Sequence, residues 1–361
     1  MAIVEHSKLP PLDGVMEPRW WTGKAATPSD HYVIDAAGST RLSLLASDGW
    51  LAQRMRATYD AVGLVHVVNT GLTALDDQRT IAKHIIDGEM PYDGGANPRD
   101  DIAPNVYEIG APLAAWLHYH HEMAYVSRST KVISFLAQRT LPVPPDGSAS
   151  RGATFVSDSV AVTDALLQTE LGRKLRDLGV CYHRNLTDRE AFTGRTEYGV
   201  YNHWQKSFGT DDALDAELRA ISQGLQVQWS DEREMRTRYY CDAFEYDPHL
   251  GRNLLYSSLA DHGMWFDTWP LVQHVPYPHR PLHMTFGDDS EFTDAERRQW
   301  LDLYGEFGTP INWRPGDVGV ICNYRFAHGR PGITLAPGEE RLLGVVLGDQ
   351  YERVGARPDA W

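Results

Sequence analysis

Cysteine is scarce in this chain of 361 residues: there are three, Cys181, Cys241 and Cys322, and no CxxC pair. An odd, scattered set excludes a zinc ribbon and a disulfide framework, and fits reduced thiols in the cytoplasm. Basic charge is also in short supply, with 34 Lys and Arg against 49 Asp and Glu and a formal net charge of -15. A nucleic-acid partner, whose phosphates need a basic face, is therefore not expected. No apolar run is long enough to span a bilayer. The opening stretch Met1–Gly14 lacks the basic region and apolar core of a secretory signal. Internal repeats, low-complexity tracts and linkers are missing too, which points to one domain over 1–361. These absences leave a cytoplasmic protein with a small-molecule partner and no membrane partner; self-association stays open.

What is present suits a sizeable core: 42% of residues are hydrophobic and 23% charged. Residues 1–45, rich in Pro, Gly and Trp, read as an irregular arm. Trp50, Leu51, Met55 and Tyr59 recur at helical spacing over Ser47–Ala61. A strand over 63–68 and a helix over 76–87 follow. Beyond them, short β-prone runs (Val180–Asn185, Thr237–Tyr246, Asn253–Leu259, Asp317–Asn323, Arg341–Leu347) alternate with turns. Helices are expected at Leu166–Leu178, at Ala213–Gln223 and after Thr293, where Glu296 completes a capping box. The strands read as alternating apolar and polar, as in antiparallel sheets over one core. The fold class is mainly β with flanking helices, a jelly roll.

The chemistry concentrates in Leu117-His118-Tyr119-His120-His121-Glu122-Met123. On a strand, residues two apart share a face, so His120 and Glu122 converge while His121 points away. An imidazole and a carboxylate on one face suit a borderline divalent metal. His328, after a β-prone run and before a glycine turn, is the third candidate ligand. Two histidines and one carboxylate on one side of iron(II) leave three positions open. A rival register pairs His118 with His120, without a carboxylate following.

The run His120-His121-Glu122-Met123-Ala124 resembles the HxE segment of the taurine dioxygenase-like and clavaminate synthase-like oxygenases. Trp313-Arg314-Pro315-Gly316-Asp317, then Asn323, His328, Arg330 and Arg341, resemble that family's second half. Arg151-Gly152-Ala153-Thr154 and Met284-Thr285-Phe286-Gly287-Asp288 resemble two elements between them. The ordered match runs from about Gly110 to Asp349, giving a double-stranded β-helix core over 110–349. The resemblance implies an Fe(II)- and 2-oxoglutarate-dependent oxygenase using O2, of a kind common in natural-product biosynthesis. It implies His120, Glu122 and His328 as iron ligands, Arg341 on the distal carboxylate of 2-oxoglutarate, and Thr154 adding a hydroxyl. Asn323 is expected to fix the distal turn.

Oxidation of an unactivated C–H bond follows from this resemblance, by hydroxylation foremost, with desaturation and cyclisation as other outcomes. Glu122 argues against halogenation, since family halogenases carry a small residue there. Val345 stands where a second, sulfonate-binding arginine occurs in taurine dioxygenase, which argues against a sulfonate bound in that way. The substrate candidates are Trp204 and Lys206, in a lid insert over about 190–210, together with Tyr125 and Arg325. Trp265, Trp269 and His279 stand in reserve. Two other readings compete: a zinc hydrolase with Glu122 as base, and a non-catalytic jelly-roll binding module.

Overall fold

The structure is a computed structural model, and it describes residues 16–92, 101–108, 113–192, 202–258, 267 and 275–361. The first elements are β1 (Val33–Asp35), α1 (Arg41–Leu45), α2 (Trp50–Val62), β2 (Leu64–Val68), α3 (Leu75–Ala82), β3 (Asp101–Ala103) and β4 (Val106–Tyr107). The strands β5 (Leu117–His120), β6 (Arg128–Arg139) and β7 (Thr154–Asp158) lead to α4 (Ser159–Leu166), α5 (Glu170–Leu178) and β8 (Val180–Leu186). Then come α6 (Trp204–Phe208), α7 (Ala213–Ser222), β9 (Gln226–Trp229), β10 (Met235–Cys241), β11 (Phe244–Asp247), β12 (Arg252–Leu255) and β13 (Leu282–Phe286). The last are α8 (Asp294–Glu306), β14 (Gly308–Ile311), β15 (Val318–Cys322), β16 (Phe326–Arg330) and β17 (Leu342–Glu352).

Seven strands form the larger sheet, in the order β1-β2-β15-β6-β17-β4-β3. Facing it is a four-stranded sheet, β14-β7-β16-β5, and Phe135 of the first packs edge-on against His328 of the second. These two sheets are the double-stranded β-helix. A third sheet, β13-β8-β10-β9, and the β11–β12 hairpin lie beside them.

The sequence patterns translate into these elements with some corrections. The helix expected from Trp50 is α2. It buries Leu51, Ala52 and Met55, and stops at Gly63, whose φ of 76° is the left-handed cap that glycine adopts without strain. The capping box at Thr293 and Glu296 is present. The helix expected over 166–178 begins only at Glu170, where the Thr169 hydroxyl accepts from Gly172 N and starts α5, while Leu166 ends the separate α4. The run 237–246 is two strands, and in the described part of the run 253–259 the pairing ends at Leu255. The helix expected over 76–87 ends at Ala82.

The arm expected over 1–45 is not irregular throughout. Val33–Asp35 pairs in parallel with β2, so one edge of the larger sheet is parallel rather than antiparallel. The expected apolar–polar alternation also fails in that sheet, where β2 and β6 are buried on both faces. One apolar cluster lies between the sheets, and a second packs the outer face against α2 and α3, joining Leu51, Met55 and Ile81 to Val65, Val320 and Val346. Alternation survives in β10, whose outer face is wet.

Candidate active site

β5 and β16 pair antiparallel with His120 directly opposite His328, and the register shifts between His328 and Arg330. A Cβ on Gly329 would meet the Leu117 carbonyl at 2.6 Å, so glycine is what lets the two strands close together here. The rings of His120 and His328 have centroids 4.4 Å apart, and His328 Nε2 lies 3.9 Å from Glu122 Oε2. One donor atom from each of His120, Glu122 and His328 lies within 4.8 Å of the others, and all three residues are buried.

Glu122 reaches this cluster differently from the expected strand pairing. β5 ends at His120, and Glu122 sits in the turn that follows, next to Met123 with a φ of 56°. A non-glycine residue in the left-handed region is uncommon and persists only where its surroundings hold it. The hold is visible. Asn323 Oδ1 accepts from Glu122 N at 2.9 Å, and its Nδ2 donates to the carbonyls of Glu122 at 3.0 Å and Thr130 at 2.9 Å. The Ser129 and Tyr256 hydroxyls also reach the Glu122 carbonyl, at 3.1 and 3.2 Å. Asn323 therefore fixes the turn of the first ligand pair, not the distal turn expected from sequence. Ser129 and Tyr256 were not singled out, since nothing in their local spacing points to residue 122.

His120 Nδ1 lies 2.8 Å from the His118 carbonyl. A carbonyl only accepts, so that nitrogen carries the proton and Nε2 keeps its lone pair for a metal. His121 turns away, as expected: Ser257 N donates to its Nδ1 at 3.1 Å, and its Nε2 meets Ser159 Oγ at 2.9 Å. Burial lowers the His121 pKa to about 3, which keeps the ring neutral. The rival His118 register does not form, because His118 packs beside Trp20 and is not part of the donor cluster.

Arg341 is 8% exposed, and Thr154 4%. Arg341 Nε donates to the Gly152 carbonyl at 3.2 Å, so its guanidinium reaches the backbone two residues before Thr154. Arg341 Nη2 is buried with no hydrogen-bond partner, and no carboxylate pairs with Arg341 among the described residues. Burial lowers the guanidinium pKa to about 10, still charged at neutral pH. A buried cation without a counter-charge is costly and suits an anionic ligand. The Thr154 hydroxyl accepts from Trp313 Nε1 at 2.9 Å. Trp313 lies across Gly319, where a Cβ would meet the indole at 2.4 Å, and it touches Phe135, which in turn touches His328.

The substrate candidates separate. Tyr125, three residues beyond Glu122, is buried and shares a 3.1 Å hydrogen bond with the Tyr92 hydroxyl. Its ring stands edge-on to Tyr182 of β8. Arg184, also on β8 and not anticipated from sequence, is buried and donates to Ser207 Oγ at 3.2 Å. Burial depresses its pKa, while the phenols of Tyr125 and Tyr92 favour its charge. Trp204 is fully buried against Trp229 in the core, and Lys206 is exposed to solvent. Both belong to α6, capped by His203 Nδ1, and not to an open hinged loop. Arg325 lies on the far side, donating to the Ala61 carbonyl at 3.2 Å and 3.9 Å from Asp158. His279 is in a short 3-10 turn, and Trp265 and Trp269 fall outside the described residues, as does the stretch 193–201 of the expected lid.

A jelly roll whose facing strands bring two imidazoles and one carboxylate together is the framework of a mononuclear non-haem iron oxygenase. Comparison with known proteins gives the family. Residues 34–347 match the model of the TauD/TfdA family, described as taurine catabolism dioxygenase, and the chain belongs to this family. The match begins at β1, well before the Gly110 at which the motif resemblance starts. A clavaminate synthase-like protein of Arabidopsis thaliana is 24% identical over 263 residues, covering 72% of this chain and 74% of its own. Among solved structures, AAD-2 in complex with Mn(II) and N-oxalylglycine is 16% identical with a TM-score of 0.47, covering 90% of this chain and 96% of that one. A taurine dioxygenase from Burkholderia xenovorans is 14% identical with a TM-score of 0.46, covering 86% and 83%. The protein is an Fe(II)- and 2-oxoglutarate-dependent dioxygenase, which sets aside the zinc hydrolase and the non-catalytic module. Among the described residues, no helix is long and apolar enough to cross a membrane.

Proposed function

We propose that His120, Glu122 and His328 hold the iron, that Arg341 and Thr154 hold the distal carboxylate of 2-oxoglutarate, and that the enzyme hydroxylates an unactivated C–H bond of a small organic substrate, forming succinate and CO2. The observation that carries this reading is the buried two-histidine, one-carboxylate cluster, with all donor atoms within 4.8 Å. The unpartnered Arg341 Nη2 supports it independently.

Bound at this site, iron(II) supplies O2 activation beside a chelated 2-oxo acid. The chain supplies the rest. The His118 carbonyl fixes the His120 tautomer, and Asn323 fixes the backbone of Glu122. Arg341 would orient the co-substrate, with its buried Nη2 free to donate to the distal carboxylate. Burial of the ligands keeps water from the reacting centre. Tyr125 belongs to the substrate end, three residues beyond Glu122, and Arg184 stands near its phenol.

Anaerobic titration tests the assignment. Iron(II) plus 2-oxoglutarate is expected to give a visible charge-transfer band from bidentate chelation. His120→Ala, Glu122→Ala and His328→Ala each lose that band and succinate formation. His121→Ala keeps the band at reduced thermal stability. A band that survives any of the three ligand replacements sinks the assignment.

A further inference from the structure

The sheet β13-β8-β10-β9 has two unlike faces. Tyr182 and Arg184 of β8 point into the body, so Cys181 and His183 point to the opposite side. That outer face carries a polar cavity of about 430 Å³ lined by His183, Arg238, His283, Thr285, Asp289 and Glu291. Cys181 lies across from Thr285 of β13 and Tyr240 of β10, and His183 across from His283 and Arg238. The turn after β13 brings Asp289 over the pair. One donor atom from each of Cys181, His183 and Asp289 lies within 4.8 Å of the others. Among the described residues, the iron cluster is the only other group of this kind.

We propose that Cys181, His183 and Asp289 form a second divalent-cation site, separate from the iron centre and selective for a thiophilic ion of the zinc type. The donor chemistry sets the selectivity. The iron cluster offers nitrogen and oxygen alone, whereas this one offers a sulfur, which favours zinc over iron and calcium. With metal–sulfur and metal–nitrogen bonds of about 2.3 and 2.1 Å, tetrahedral ligands stand roughly 3.5 Å apart, so a donor pair at the 4.8 Å bound has to close by roughly an ångström. Asp289 can supply that movement. It is a half-exposed turn residue with a φ of 64°, held by the Tyr240 hydroxyl at 3.0 Å and lying 3.6 Å from Arg238. Arg238 then competes with the cation for Asp289, and it compensates the extra negative charge once the thiol is ionised. His183 Nε2 meets Thr285 Oγ1 at 3.1 Å, so either the ring's Nδ1 is the donor or Thr285 gives way. Binding transfers the Cys181 thiol proton to solvent as the sulfur lone pair goes to the metal; no redox change is involved. The occupied site pins the β13–α8 turn to β8, the strand whose other face carries Arg184.

Cobalt(II) reads the two sites apart, because only a thiolate ligand gives an intense near-ultraviolet charge-transfer band. The metal-free full chain is titrated anaerobically with cobalt(II), then competed with zinc(II). The expected result is two equivalents bound, with the thiolate band belonging to one of them and erased by zinc. Cys181→Ser is expected to bind one equivalent with no thiolate band. Asp289→Asn, a mild change in an exposed turn, is expected to weaken the sulfur-bearing site at least tenfold. His120→Ala is expected to lose the other equivalent and keep the band, which separates failure here from failure of the iron assignment. A wild-type protein with no thiolate band at saturating cobalt overturns the proposal. So does a band that persists in Cys181→Ser.

Discussion

Asn323 shapes the site geometry by holding the backbone of Glu122 with its side chain. Its amide spans 201 positions of sequence to hold Glu122 at both N–H and carbonyl. Asn323→Ala leaves buried donors and acceptors unmatched, a cost of about 1–3 kcal/mol. Iron affinity is expected to fall on the order of 10- to 100-fold, as for other residues that orient metal ligands. A metal titration checks this, and Asn323→Asp, which restores only the acceptor, is expected to recover part of the loss. Unchanged affinity in the alanine variant removes the positioning role. Arg341 is proposed to act on the co-substrate instead. Arg341→Ala is expected to raise the 2-oxoglutarate requirement at least tenfold, since a charge-assisted contact is worth on the order of 1.5–3 kcal/mol. Titrating the anaerobic band with 2-oxoglutarate measures it directly, and an unshifted midpoint rules the role out. The residue types and order of the His120, Glu122 and His328 cluster were legible in the sequence. What Asn323 holds was not, because its partner is set by strand order and not by local spacing.

At the scale of elements, α6 shows where sequence reading falls short. The aromatic and basic spacing of Trp204 and Lys206 suggested a flexible cover over the site. The same spacing in a short helix sends Trp204 and Phe208, four apart, inward, and Lys206 outward. Period alone cannot separate these cases in a five-residue element. The consequence is testable. Trp204→Ala removes a fully buried indole and is expected to lower stability by about 3–5 kcal/mol. In the folded fraction, the ratio of 2-oxoglutarate consumed to substrate oxidised is expected to stay at the wild-type value. Uncoupling with no loss of melting temperature would restore the cover. β5 is the opposite case: it ends two residues short of Glu122, yet the ligands converge. A supported left-handed residue at Met123 does what strand periodicity was expected to do.

Over the whole molecule, the jelly roll was legible from many short strands and turn signals, while the strand order was not. Nothing local says that β15 lies between β2 and β6, or that Val33–Asp35 adds a parallel edge. The donor cluster joins positions 120 and 328, so a bound metal ties distant parts of the chain together. Manganese(II), which resists oxidation, is expected to raise the melting temperature of the wild-type protein. At a hundredfold excess over its dissociation constant, the gain is about 2.7 kcal/mol. His328→Ala is expected to show no such gain, and thermal denaturation with and without metal decides the matter.

The interleaved order of the larger sheet also bears on synthesis. β6 closes at Arg139, but β15, its hydrogen-bonded neighbour, begins only at Val318. At ribosomal speeds of roughly 5–20 residues per second, the intervening 318 − 139 = 179 positions take roughly 10–35 seconds. For that time the nascent chain carries β2 and β6 with open apolar edges, the kind of surface that seeds intermolecular pairing. Recombinant yield is therefore expected to respond to slower translation, lower growth temperature and added chaperone more than to any change at the surface of the finished enzyme.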